Sequence, residues 1–245
     1  ASLGRGMETP TFNEISYRPD GMAGLNFALQ PAVSTSAELG VKQRFNMAGV
    51  RGDLSAALFQ TQTDNEIVVA SNQGNTSYQN AGKTRRRGLE LSTSAWLHPK
   101  VRVNGSLTLL DARLCNGYSY LDSNKSPVNI ANGNRIAGTA RNMAYLGVEW
   151  TPSTEWRVGL DWRRMGQIAA DDKNTVYAPS YNVASLSVGY TKRLGAWKLN
   201  TFARIDNLAD KNYVGSVIVN ESNSRYYEAA PGRQWMAGAS LSYQF

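Results

Sequence analysis

Residues 156–163 read Trp156-Arg157-Val158-Gly159-Leu160-Asp161-Trp162-Arg163, and this octet decides the fold. Trp, Val, Leu and Trp take one set of alternate positions; Arg, Gly, Asp and Arg take the other. Successive side chains of a strand leave on opposite faces, so the octet predicts a strand with one apolar and one charged face. The same period governs Val101-Arg102-Val103-Asn104-Gly105-Ser106-Leu107-Thr108-Leu109, residues 89–97, residues 197–205 with Phe202 out of phase, and residues 235–245. Extended along the chain, the pattern predicts nine strands at 34–46, 50–63, 84–97, 101–114, 140–151, 155–166, 181–193, 197–208 and 233–245, with a strand remnant before Gly6. They average roughly twelve residues, about twice the usual length in soluble sheets. A tilted strand crosses a bilayer in ~9–11 residues.

The connections sort by length. Short turns fall at Asn46–Gly49, His98–Lys100, Pro152–Thr154 and Leu194–Ala196. Long polar segments, read as loops, fall at 64–83, 115–139, 167–180 and 209–232. Short turns at one end and long loops at the other suit a membrane barrel better than a Greek-key sandwich. Trp96, Trp150, Trp156, Trp197 and Trp235 lie near strand ends, where an outward aromatic girdle is expected.

Composition narrows the function. The 245 residues are 42% hydrophobic and 18% charged, with 12 Tyr, 6 Phe and 6 Trp, too aromatic for a disordered chain. No run approaches the ~20 apolar residues of a membrane helix. The net charge of +7 suits an anionic ligand or an anionic membrane surface. The basic residues are dispersed, apart from Lys83-Thr84-Arg85-Arg86-Arg87, so no nucleic-acid partner is expected. Cys115 is the sole cysteine and His98 the sole histidine, the latter in a turn. A disulfide is therefore impossible within the chain, and a zinc site or Ser-His-Asp triad lacks partners. No phosphate-binding glycine loop occurs. The expectation is a protein that is not an enzyme and carries no cofactor or bound metal.

Several segments carry a resemblance. They are Gly6-Met7-Glu8-Thr9-Pro10-Thr11-Phe12-Asn13-Glu14, Ser36-Ala37-Glu38-Leu39-Gly40-Val41-Lys42, Arg87-Gly88-Leu89-Glu90-Leu91 and Gly133-Asn134-Arg135-Ile136-Ala137-Gly138. Asp206-Asn207-Leu208-Ala209-Asp210-Lys211-Asn212-Tyr213, Pro231-Gly232-Arg233 and the terminal Leu241-Ser242-Tyr243-Gln244-Phe245 complete the series. In this order they resemble the C-terminal part of TonB-dependent outer-membrane receptors. Met7, Ala137 and Ala209 depart from the usual Phe, Pro and Phe. The resemblance implies an all-β transmembrane antiparallel β-barrel. Residues 1–245 are then a C-terminal portion of about nine strands of a 22-stranded barrel, without the N-terminal plug. It implies a Gram-negative bacterial outer-membrane location and energy-dependent uptake of a scarce ligand, a ferric siderophore or other metal chelate. A passive outer-membrane porin is the alternative.

The implied partners are outer-membrane lipid and lipopolysaccharide, a small-molecule ligand and the TonB energy-transducing complex, reached through the missing N-terminal region. Leu241, Tyr243 and Phe245 share one face and are the implied signal for the outer-membrane assembly machinery. Glu38, Lys42, Arg44, Glu90, Arg102, Arg157, Asp161, Arg163 and Arg204 are expected to line the lumen; Leu89, Leu91, Val158, Leu160, Leu186, Val188, Leu199 and Leu241 are expected to face lipid. Ligand contact is expected in the long loops, at Tyr118, Tyr120, Arg135, Arg225, Tyr226 and Tyr227, with Lys125 in the same loop as the first two, Tyr213 in the same loop as the last three, and Arg141 just inside the next strand. Arginine offers bidentate bonds to anions, and tyrosine a flat body with a polar tip.

Overall fold

The computed structural model describes residues 1–71, 75–121, 126–221 and 223–245. The chain opens with β1 (Ser2–Glu8), the one-turn helix α1 (Phe12–Ile15), β2 (Ala32–Met47), β3 (Val50–Asp64), β4 (Ile67–Ser71) and β5 (Ser77–Asn80). It continues with β6 (Thr84–His98), β7 (Val101–Leu114), β8 (Tyr118–Leu121), β9 (Pro127–Ile130), β10 (Asn142–Trp150) and β11 (Trp156–Met165). The last third holds β12 (Ile168–Ala169), β13 (Tyr177–Ala178), β14 (Tyr181–Leu194), β15 (Trp197–Asp206), β16 (Val214–Val217), β17 (Tyr227–Ala229) and β18 (Gln234–Tyr243).

Ten of these strands form one sheet in the order β1-β2-β3-β6-β7-β10-β11-β14-β15-β18. Each pairs antiparallel with the next, so the sheet is an up-and-down meander with β1 and β18 at its edges. All nine expected strands are present within two residues of their expected bounds. The remnant before Gly6 is a complete strand, Ser2–Glu8, paired in register along β2.

The short turns all lie at one end of the sheet. The opposite end carries the long connections, among them residues 9–31, which lead from β1 through α1. Thr11 caps α1: its hydroxyl accepts from Glu14 N at 3.4 Å, and Glu14 returns a carboxylate to Thr11 N at 2.7 Å. This reciprocal box is the physical content of the Pro-Thr-Phe-Asn-Glu segment.

The long segments are not plain loops. Each of the four holds a hairpin: β4-β5, β8-β9, β12-β13 and β16-β17. These short strands pair within their hairpins, apart from a single bridge from Ile168 to Ala140, and lack the long alternation that marked the wall.

Register assigns every wall residue to a face, because antiparallel partners point the same way. One face carries Leu58, Leu89 and Leu109 as direct neighbours, and farther along the sheet Val148, Leu160, Leu186 and Ile205. All eight residues expected to meet lipid lie on this face. Leu160 is 45% exposed and Leu241 59%, and the other six are half-buried. The opposite face carries Glu38, Lys42, Glu90, Arg102, Arg157, Asp161, Arg163 and Arg204, and Arg44 with them. The sheet thus has one apolar and one charged face over its whole width.

At the short-turn end the apolar face is rimmed by Trp150, Trp156, Tyr190, Trp197 and Tyr243. Trp156 stacks on Tyr190 at 4.7 Å between centroids, and Trp197 meets Tyr243 edge-on at 4.9 Å. Trp235 sits on the same face toward the long-loop end. Trp96 is a correction. It pairs with Arg102 on the charged face, with the guanidinium 5.8 Å from its ring, and a bulge between Trp96 and His98 then resets the phase. Nearness to a strand end does not set a face: the register is unbroken from Thr84 to Trp96, and the extra residue follows it.

Candidate functional site

The buried apolar residues are not spread through the wall. Ala81, Ala112, Leu114, Val128, Ile130 and Ile136 gather at the long-loop end, with Val68, Leu110, Tyr118 and Tyr120 packed against them. The long segments therefore form a packed canopy over one end of the sheet.

Polar side chains lock this canopy. Asp172, only 3% exposed, accepts from Tyr118 Oη at 2.8 Å, Ala137 N at 3.0 Å and Asn220 Nδ2 at 2.8 Å. Asn220 also donates to Val69 O at 3.0 Å and accepts from Asp172 N at 2.9 Å. Asn134 donates to Asp172 O at 2.8 Å. One carboxylate and one carboxamide thus join segments 64–83, 115–139, 167–180 and 209–232. Asp171 repeats the device locally, accepting from Thr175 N at 2.8 Å and Val176 N at 3.0 Å.

The conspicuous sequence segments anchor the canopy to the wall. Asn207, at φ 52°, brackets Lys211 with its side chain, donating to Lys211 O at 2.8 Å and accepting from Lys211 N at 2.9 Å. Arg233 Nη2 then reaches Leu208 O at 2.8 Å, which ties Pro231-Gly232-Arg233 to the same corner. Gly133-Asn134-Arg135-Ile136 runs beside the end of β7, with Ile136 N bonded to Ala112 O at 3.2 Å. Arg86, the middle of the basic run, turns inward and is held bidentate by Glu66 at 2.6 and 3.0 Å.

The expected ligand residues fall into different settings. Tyr118 is committed to Asp172, and burial, then the Asp172 charge, pushes its phenol far above the usual range. Tyr120 packs 6.5 Å from Tyr118 on the same hairpin. Tyr226 and Tyr227 lie 6.4 Å apart, beside the exposed Arg225; burial, then Asp171 and Glu221, raises the Tyr226 phenol. Arg135 is 5% exposed and pairs with Arg113 across the sheet. Burial first, then Arg141 and Arg113, lowers its affinity for its proton. Arg141 is exposed, immediately before β10. Lys125 lies outside the described residues.

A second feature was missed in the sequence. On the charged face, just below the canopy, Tyr145, Arg163, Tyr181, Val183 and Tyr213 line a pocket of about 390 Å³. Tyr181 and Tyr213 stack at 4.3 Å between centroids. Tyr145 Oη donates to Asp161 at 2.6 Å, and Arg204 bonds Asp161 at 3.3 Å and Asp206 at 2.9 Å. Flat aromatic surfaces beside guanidinium groups suit an anionic, partly aromatic guest. The signal was Tyr145 in phase with Arg163, but pairing across three strands was needed to see it. Among the described residues no cluster of His, Cys, Asp and Glu is arranged to hold a metal ion directly.

Comparison with known proteins agrees with the geometry. The family model described as TonB dependent receptor-like, beta-barrel, matches residues 1–208. The catecholate siderophore receptor Fiu of Escherichia coli (strain K12) is 27% identical over 248 residues, spanning 94% of this chain and 30% of that receptor. The ferrioxamine receptor of Yersinia enterocolitica is 30% identical over 210 residues, spanning 82% of this chain and 26% of that one. The crystal structure of the siderophore receptor PiuA from Acinetobacter baumannii shares the fold, with TM-score 0.70 at 23% identity over 86% of this chain and 29% of that chain. The chain therefore spans about 30% of the length of such relatives.

Proposed function

We propose a function from one premise: this chain belongs to the TonB-dependent receptor β-barrel family, whose model matches residues 1–208. It lies in the Gram-negative bacterial outer membrane. Residues 1–245 are a C-terminal part of the wall and loop canopy of a larger receptor, in which the remaining strands close a 22-stranded barrel around a plug. The whole receptor takes up a scarce metal chelate with energy delivered through TonB. Transport requires no covalent step. Leu241, Tyr243 and Phe245 are offered to the assembly machinery on the apolar face, with Tyr243 and Phe245 in edge contact at 5.0 Å.

One observation carries this reading: four long segments are locked into a canopy directly above an inward pocket of tyrosines and arginine. A passive pore gains nothing from such a locked, aromatic vestibule. The relatives named for catecholate siderophores and ferrioxamine give the ligand class, a ferric chelate. Tyr120, Arg225, Tyr226 and Tyr227 meet it from the canopy, and Tyr181, Tyr213 and Arg163 from the wall below. Tyr118 holds the canopy in shape. Arg135 and Arg141 line a separate groove with Leu58, Leu89 and Leu109 and fall outside this cargo set.

The test is uptake of radiolabelled ferric catecholate and ferric hydroxamate by cells carrying the complete receptor. Uptake is expected to need both the receptor and an intact TonB complex, and to fall at least tenfold with Tyr181→Ala and Tyr213→Ala combined. Uptake that persists without the complex, in proportion to external concentration, would instead identify a passive porin.

A further inference from the structure

In the run Lys83-Thr84-Arg85-Arg86-Arg87, Lys83 pairs with Asp64 at 3.2 Å and Arg86 with Glu66. Arg85 and Arg87 point the other way, onto the apolar face. There, three rows cross the sheet at its long-loop end. Leu58, Leu89 and Leu109 are direct partners in the first row. Two residues farther out, Gln60, Arg87 and Asp111 form the second. In the third row Gln62, Arg85, Arg113 and Arg135 stand side by side.

Four arginines against one aspartate leave +3 on a face that is otherwise apolar. Like charges on adjacent strands destabilise a sheet. Asp111 offsets part of this, accepting from Arg113 Nε at 2.7 Å and Arg87 Nε at 3.3 Å. Buried Arg85 Nε and Arg135 Nη2 have no partner among the described residues. Arg87, Arg113, Arg135 and Arg141 rim a groove of about 740 Å³ whose floor is the leucine row. The groove lies on β3, β6 and β7, far from the open edges β1 and β18, so further wall strands would not cover it.

We propose that this groove binds a phosphorylated glycolipid of the outer leaflet, its phosphate at Arg87 and Arg113 and its acyl chains along the leucine row. Rows two residues apart are separated by ~7 Å along the strand, so the face changes from hydrocarbon to guanidinium over the depth at which a lipid changes from chain to headgroup. Guanidinium groups bind phosphate bidentately. Basic pockets at the headgroup level of membrane proteins bind anionic lipid heads. The site lies on the opposite face from the cargo pocket, and it rests on the apolar face meeting lipid. The wall thus has two anion sites on two faces, inner for cargo and outer for lipid.

The experiment uses the complete receptor in detergent, with bisphosphorylated lipid A as probe and retained lipid counted by native mass spectrometry. Wild type is expected to hold the lipid through delipidation, and R85Q/R87Q/R113Q to lose at least tenfold in apparent affinity. R87K/R113K keeps the charge without the planar fork and is expected to lose threefold or more. Removing both phosphates from the probe should match the effect of the triple variant. Inorganic phosphate should compete only weakly; equal competition would mean a free-anion site and overturn the lipid assignment. Unchanged lipid retention in the triple variant would overturn the proposal outright. If the triple variant fails to assemble, R87Q alone, at an exposed side chain, carries the same test. Ferric-chelate uptake is expected to remain within twofold of wild type in R87Q, so failure of this site and failure of the cargo reading give different results.

Discussion

The wall and the canopy use polar residues in opposite ways. In the wall, polarity is a matter of side: every second residue lies on the charged face and its partners are nearest neighbours in the sheet, as with Arg163 opposite Tyr145 and Val183. In the canopy, polarity is structural. Asp172 is buried and Asn220 half-buried, and they bond across sequence separations of 35 to 151 residues. A two-sided wall tolerates loss of one inward polar group, which water in the lumen can solvate. A canopy centred on one carboxylate cannot, because three donors lose an acceptor together.

That contrast can be broken at Asp172. Asp172→Ala leaves Tyr118 Oη and Ala137 N unsatisfied, takes one of the two acceptors of Asn220 Nδ2, and is expected to cost about 3–5 kcal/mol of local canopy stability. Hydrogen exchange should rise throughout segments 64–83, 115–139, 167–180 and 209–232, while the wall amides stay protected. Protection unchanged in the canopy would remove Asp172 from its central role.

The wall's own weak point is its outer face. Leu160→Arg is expected to cost ~2–4 kcal/mol if the residue sits near the bilayer midplane. Arg at Gly159, on the lumen side, should cost less than half as much in the same unfolding titration from liposomes. Equal costs would erase the distinction between faces.

Close packing within the wall gives a smaller effect. A Cβ added at Gly88 would run into Leu109 O and lie 2.8 Å from the Phe59 ring. Gly88→Ala is therefore expected to destabilise by ~1–3 kcal/mol, whereas Gly189→Ala, with no neighbour nearer than 3.8 Å, should be close to neutral. The smallest effect is at the girdle. Tyr190→Leu keeps the apolar area but loses the stack on Trp156 and should cost about 0.5–1.5 kcal/mol, read from the same titrations.

The difference between wall and canopy also explains what was legible in the sequence. Alternation is local and repeats over ten residues or more, so Val101–Leu109 and Trp156–Arg163 disclosed strand, face and medium together. The failure inside the wall, Trp96, came from taking nearness to a strand end as outward, whereas alternation with Leu89 and Leu91 puts it on the charged face. The hairpins β4-β5, β8-β9, β12-β13 and β16-β17 escaped because two to five residues carry too few alternations to register. Asp172 looks like one more loop aspartate in Ala170-Asp171-Asp172-Lys173; only the approach of Tyr118 and Asn220 makes it a keystone. The ligand set was chosen by residue type alone. Type does not separate Tyr118, which is engaged internally, from Tyr227, which is exposed, or Arg135 on the outer row from Arg225 at the canopy edge. The arginine run was visible as charge, but its division into Arg86 inward and Arg85 and Arg87 outward required the register.

The central claim is that the apolar face of this sheet meets hydrocarbon and the charged face meets water. Single nitroxide labels placed at residues 156–165 of β11, in the complete receptor with Cys115→Ser and reconstituted in liposomes, test it most directly. Collision rates with oxygen are expected to peak at 158, 160 and 162, and those with a water-soluble nickel complex at 157, 159, 161 and 163. Loss of this two-residue alternation, or its inversion, would contradict the assignment of the wall.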